Sequence, residues 1–264
     1  MLRKRGDKVR SRVRKSIAAG FGFMAALCAQ AQAGEVSVAV AANFMAAAKE
    51  IADAFHSETG HTAGLSFGST GQLYAQITQG APFDIFLSAD AERPKKAEEE
   101  GWAVANTRFT YAIGKLVLWS ADARLVDNEG AVLKSRRFSY LAIVNPAAAP
   151  YGAAAVEVIK ALGLDNQIEP RLVMSANITQ TFQFVASGNA ELGFVALSQV
   201  VENGAGWGST WRVPENLYAP ILQDAVLLKQ GEQNLYAKAF YAFLKSPTAV
   251  KIIQSYGYGA LPGA

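Results

Sequence analysis

Four short stretches of this 264-residue chain place small or polar residues where an apolar run hands over to a helical period. AANF sets Ala42 and Asn43 after EVSVAV, and GSTG sets Ser69 and Thr70 after TAGLSF. AAAPYG sets Tyr151 after YLAIVNP, and RLVMSAN sets Asn177 ahead of Ile178. A strand-to-helix turn can hold a nucleophilic serine, cradle a phosphate, or seat some other anion on the unpaired N–H groups of the helix start. It is also where ordinary capping residues sit.

The catalytic readings fail on their partners. A nucleophile elbow needs G-x-S-x-G, and although Gly71 follows Ser69 by two residues, position 67 is Phe. The base would have to be His56 or His61, which both flank the end of one helical period in AFHSETGH and read as capping or solvated side chains. A phosphate loop would need a lysine after Gly71. Asp84 and Asp90 in FDIFLSAD have the composition of a carboxylate pair, but Asp90 reads as the cap of the helix in AERPKKAEEE. With Cys28 the one cysteine, and both histidines at one helix end, the chain offers no ligand set for a metal cation. The sequence predicts no catalytic residue and no cofactor.

The anion reading gains from repetition. A helix N-terminus stabilises a nearby negative charge by roughly 0.3–1 kcal/mol when exposed and by up to about 2 kcal/mol when partly buried. Several converging on one closed site, with hydroxyl donors added, reach micromolar affinity or tighter, about 8 kcal/mol or more. None of the four turns contains Lys or Arg, so charge there would be met by dipoles and hydrogen bonds alone. A site made of donors favours a fully ionised anion, because a protonated one brings a donor of its own and needs an acceptor. Molybdate, tungstate and sulfate meet that requirement near neutral pH; phosphate does so only in part.

The elements that must position these turns follow from periodicity. A β-rich run, a turn and a helical period recur four times, with Gly60 and Gly188 as helix stops. Further strands are expected at 84–89, 115–121, 192–197 and 219–229, with C-terminal helices in NLYAKAFYAFLKS and VKIIQSYG. Alternating strands and helices predict an α/β protein with mainly parallel sheets flanked by helices. LVLWS and DAVLLK are expected to carry the chain between two lobes, one made of 34–114 plus 225–264 and the other of 115–224. The Gly-, Trp- and Pro-rich stretch 201–216 reads as a surface loop.

Residues 1–33 read as a secretory signal peptide, with a basic start, the apolar run IAAGFGFMAALCA and an Ala31-Gln32-Ala33 exit before Gly34. They carry eight of the 25 Lys/Arg and one of the 22 Asp/Glu, so the remaining chain has 17 basic and 21 acidic residues, a formal net charge of −4. No basic field is left to attract nucleic acid. Cys28 lies within this segment and reads as a small apolar residue rather than a lipid anchor, because Leu27 precedes it. The remainder then carries no thiol.

The runs AANF, FGSTGQLYAQITQGAPFDIFLSAD, YAIGKLVLWS, NPAAAPYG and ASGNAELGFVAL resemble the periplasmic molybdate-binding proteins of ABC importers, across nearly all of 35–260. The resemblance implies a type II periplasmic-binding fold whose two similar lobes, joined by a two-strand hinge, close on molybdate or tungstate. It implies a non-enzymatic, monomeric protein of the periplasm that delivers the oxyanion to a permease in the inner membrane. It assigns the oxyanion to Asn43, to Thr70 with Ser69 beside it, to Tyr151 and to the backbone N–H of Ile178. Two positions depart from the pattern. Ala42 stands where relatives have a hydroxyl residue, and Ala196 stands where many have a tyrosine in G-x-V-Y, a hydroxyl that Tyr151 is placed to supply from the opposite turn. A receptor for another oxyanion such as sulfate is the alternative in the same class, and a secreted serine hydrolase using Ser69 is the alternative in another.

Overall fold

The computed structural model describes residues 34–135, 137–204 and 207–259; the signal segment expected at 1–33, with Cys28, lies outside the described residues. The chain begins with β1 (Glu35–Ala41), a single 3-10 turn (Ala42–Phe44), α1 (Met45–Thr59), β2 (Thr62–Gly68), α2 (Thr70–Thr78), β3 (Ile85–Leu87), α3 (Glu92–Glu99) and β4 (Phe109–Gly114). It continues with β5 (Leu116–Ser120), β6 (Leu141–Val144), α4 (Pro150–Ala161), α5 (Asp165–Ile168), β7 (Leu172–Ser175), α6 (Ile178–Ala186), β8 (Leu192–Ala196), α7 (Leu197–Glu202) and β9 (Ser209–Arg212). It ends with β10 (Ile221–Leu227), α8 (Leu235–Phe243) and α9 (Pro247–Ser255).

The strands form two mixed sheets on one plan, β2-β1-β3-β10-β4 and β7-β6-β8-β5-β9. In each, three strands run parallel and the outer two pair antiparallel. The α/β class with mixed, mainly parallel sheets is therefore present. The chain passes between sheets twice, through Lys115 from β4 to β5 and through 213–220 from β9 to β10. LVLWS is β5 of the second sheet and the DAVL of DAVLLK ends β10 of the first, so the links between strands, and not the strands, make the crossings. Because β10 pairs with β4 from Ile221 onward, the return to the first sheet precedes residue 224. Lys115 and Glu215 tie the two crossings together at 2.5 Å.

Strand alternation distributes apolar side chains to both faces of each sheet, as expected of strands covered on both sides. From β1, Val36, Val38 and Val40 pack with Ile51 and Phe55 of α1 and with Phe240 of α8, while Ala39 faces Leu73 and Ile77 of α2. From β5, Leu116 and Leu118 join the cluster under α4, and Val117 and Trp119 join Phe182 and Val185 of α6.

The stretch read as a surface loop corrects the sequence expectation. Its segment Ser209–Arg212 is strand β9, paired with β5, and Trp211 and Val213 are buried. Four residues are too few to establish a period. The Trp211 ring lies over Gly130, where a Cβ would come within 2.3 Å of it.

Candidate functional site

The first turns of four helices meet between the two sheets, two supplied from each side. Around them is a cavity of about 10 Å³, lined by Ala42, Asn43, Ser69, Thr70, Tyr151 and Ile178 together with Ala41, Gly68, Ala89, Ala149 and Pro150. At the lower limit for holding one water, it is a tight space. All six residues singled out from the sequence are here, and no side chain in the lining is charged. The parallel strands β1, β2 and β6 point their carboxyl ends at it, which is where α/β sheets hold ligands.

The hydroxyls are oriented by the bonds they accept. Ser69 caps α2: its Oγ accepts from Gln72 N at 3.3 Å, and the Gln72 side chain accepts from Ser69 N at 3.2 Å. Thr70 Oγ1 accepts from Ala89 N at 3.1 Å. Each contact occupies a lone pair and leaves the hydroxyl proton to give. Pro150 opens α4, so the first N–H of that helix belongs to Tyr151. Ile178 opens α6, where Asn177 accepts from Gln180 N at 3.0 Å. Asn177 therefore caps, and it lines an adjoining cleft and not the cavity.

The two sides are stitched around this space. Gly71 N donates to Ala148 O at 2.9 Å, Arg93 Nη2 to Ala147 O at 3.1 Å, and Ser198 Oγ to Asn43 O at 2.9 Å. Behind the cavity is a buried polar network. Asn43 Nδ2 donates to Gln223 Oε1 at 2.9 Å and to Tyr258 Oη at 3.2 Å, and Gln223 Nε2 donates to Tyr151 Oη at 3.2 Å. Tyr111 Oη donates to Ser88 O at 3.0 Å and reaches Gln223 Oε1 at 3.2 Å. The Asn43 amide thus spends its donors on the network. Burial, followed by the neighbouring Tyr258, pushes the Tyr151 phenol well above its ordinary range, so it stays a neutral hydroxyl.

The remaining candidates have structural roles. His56 and His61 lie at the far end of α1, where His61 Nδ1 accepts from Gly34 N at the start of β1. Ser69 follows the opposite end of the parallel strand β2, roughly 20 Å away at about 3.3 Å per residue. Asp90 accepts from Arg93 N at 2.9 Å and pairs with its guanidinium, as a cap. Asp84 accepts from Ser37 N and Asn234 Nδ2. Ala196 is fully buried at the end of β8 and outside the cavity lining. Among the described residues no cluster of acids and histidines could hold a metal ion.

Sequence reasoning missed Gln223, Tyr258 and Tyr111. Gln223 had a signal: it stands with Asp224 inside the apolar run of β10, and both are completely buried. Asp224 is met by Arg108 at 2.6 Å and Thr110 at 2.7 Å.

Comparison with known proteins gives a consistent picture. Residues 36–259 match the family model of the bacterial extracellular solute-binding proteins. The chain is 56% identical over 241 residues to the molybdate-binding protein ModA of Rhodobacter capsulatus, covering 91% of this chain and 94% of that one. It is 56% identical over 244 residues to ModA of Azotobacter vinelandii, covering 92% and 96%. The solved structure of the Azotobacter vinelandii periplasmic molybdate-binding protein superposes with a TM-score of 0.83 at 44% identity, over 86% of this chain and 99% of that one.

Proposed function

Because the chain belongs to the bacterial extracellular solute-binding protein family, we propose that its cavity captures molybdate or tungstate for an ABC importer. The observation that carries this reading is the convergence of four helix N-termini on one uncharged space between two sheets. Ser69, Thr70 and Tyr151 give hydroxyl protons, and the first-turn N–H groups at Asn43, Thr70, Tyr151 and Ile178 give the rest. Ala42 adds shape and no hydroxyl. A tetrahedral dianion accepts from all of them and donates to none.

In this reading the lobe built on the first sheet, 34–114 with the C-terminal segment from about 220, closes against the lobe built on the second. The first lobe is taken to begin its return ahead of residue 225, with the whole of β10, which pairs in the first sheet. The protein works as a monomer in the periplasm, performs no reaction on the ion, and hands it to the permease when the lobes part.

Titration calorimetry with molybdate, tungstate, sulfate and phosphate tests the proposal. Molybdate and tungstate are expected to bind at micromolar concentration or below, the range that about 8 kcal/mol supports, with sulfate weaker and phosphate weakest. Binding of sulfate alone would reassign the ligand while leaving the site in place.

A further inference from the structure

The directions of the hydrogen bonds behind the cavity form a chain that ends on Tyr151. Tyr258 Oη gives its proton to Asn43 O at 2.7 Å, so its oxygen accepts from Asn43 Nδ2. That orients the Asn43 amide, whose Nδ2 also faces Gln223. Gln223 must answer with Oε1, and this turns its Nε2 toward Tyr151. Tyr151 Oη is then an acceptor for the protein, bonded by Gln223 Nε2 and also by the Asn43 side chain, and among the described residues its proton is given to no protein group. Gly114, at the crossing between the sheets, makes room for this seat: a Cβ there would stand 2.4 Å from Tyr151 Oη and 2.7 Å from Gln223 Nε2.

We propose that Gln223 is a positioning residue that sets which oxyanions the site accepts, by holding the Tyr151 phenol as a donor toward the cavity. The inference rests on the oxyanion-binding reading above. An acceptor in place of Nε2 would reverse the polarity: Tyr151 would donate to residue 223 and turn a lone pair toward the ligand. Such a site suits a protonated oxyanion, which needs an acceptor.

Gln223→Glu makes this reversal with almost no change in shape. Its molybdate affinity is expected to fall by more than about tenfold, since the buried carboxylate adds repulsion to the loss of one net hydrogen bond, and its phosphate affinity by less, so the ratio of the two shifts toward phosphate. Equal weakening of both anions would overturn the proposal, since a merely structural role does not change selectivity. A mutant cycle with molybdate alone provides the second measurement. Gln223→Met is expected to cost about tenfold in the natural protein and under about threefold beside Tyr151→Phe, because the partner it acts through is gone. Additive losses would exclude action through Tyr151. If Gln223→Met does not fold, the same cycle is run with Gln223→Glu. A natural protein that binds no molybdate would remove the functional reading itself, whereas binding with additive variants would remove only the role of Gln223.

Discussion

Thr70 illustrates how an uncharged side chain can be committed to an anion. It is 1% exposed, and its oxygen already accepts from Ala89 N, so the proton is what it has left. Thr70→Ala is expected to weaken molybdate binding by about tenfold, one net hydrogen bond, and also to leave Ala89 N without its acceptor. Thr70→Ser keeps the hydroxyl and is expected to stay within about threefold of the natural protein in the same calorimetric titration. Equal losses in both variants would show that the methyl group, and so packing, is what matters. This residue was legible from sequence because a hydroxyl at a strand-to-helix turn has a known use. Asn43 was legible only in part: its position predicts a helix start, but nothing local reveals that its amide is spent on Gln223 and Tyr258.

At the scale of elements, the helix starts are aimed by how closely they pack on the strand ends. Gly152, in the first turn of α4, lies against the end of β6, and a Cβ there would stand 2.1 Å from Val144 O. Gly152→Ala is expected to push the start of α4 away from the sheet, at about the 1–3 kcal/mol typical of an overpacked site. Thermal unfolding and molybdate titration should both show the loss. A lower melting temperature with unchanged affinity would separate the packing of α4 from its aim. Most of this architecture could be read from the sequence, since apolar runs, helical periods and Gly stops mark β1, α1, β2 and α2 without ambiguity. Strand β9 was hidden because four residues beside glycines carry no period. The network was hidden because Asn43, Tyr111, Tyr151, Ser198, Gln223 and Tyr258 come from six separate places in the chain, and only the closed fold brings them together.

For the whole molecule, the same network makes the union of the two sheets sensitive to alkali. Tyr111, Tyr151 and Tyr258 are all buried, and burial in each case holds the phenol above its ordinary value of 10. Below pH 10 the folded and unfolded chains both keep these protons, and the contribution to stability is fully present. As pH rises beyond 10 the unfolded chain releases protons that the folded chain still holds, so stability falls. The slope approaches about 1.4 kcal/mol per pH unit for each phenol fully retained in the fold. Urea midpoints followed by tryptophan fluorescence are expected to be level from about pH 8 to 9.5 and to drop steeply above pH 10. The second sheet is tied to the first through two members of this network, Tyr151 to Gln223 and Ser198 to Asn43. Fluorescence, which samples Trp119, Trp207 and Trp211 with the second sheet and Trp102 alone with the first, should therefore lose its signal together with far-ultraviolet dichroism, which samples both sheets. If the fluorescence midpoint fell above pH 10 while the dichroism midpoint held, the two halves would be unfolding independently and the network would not be what joins them.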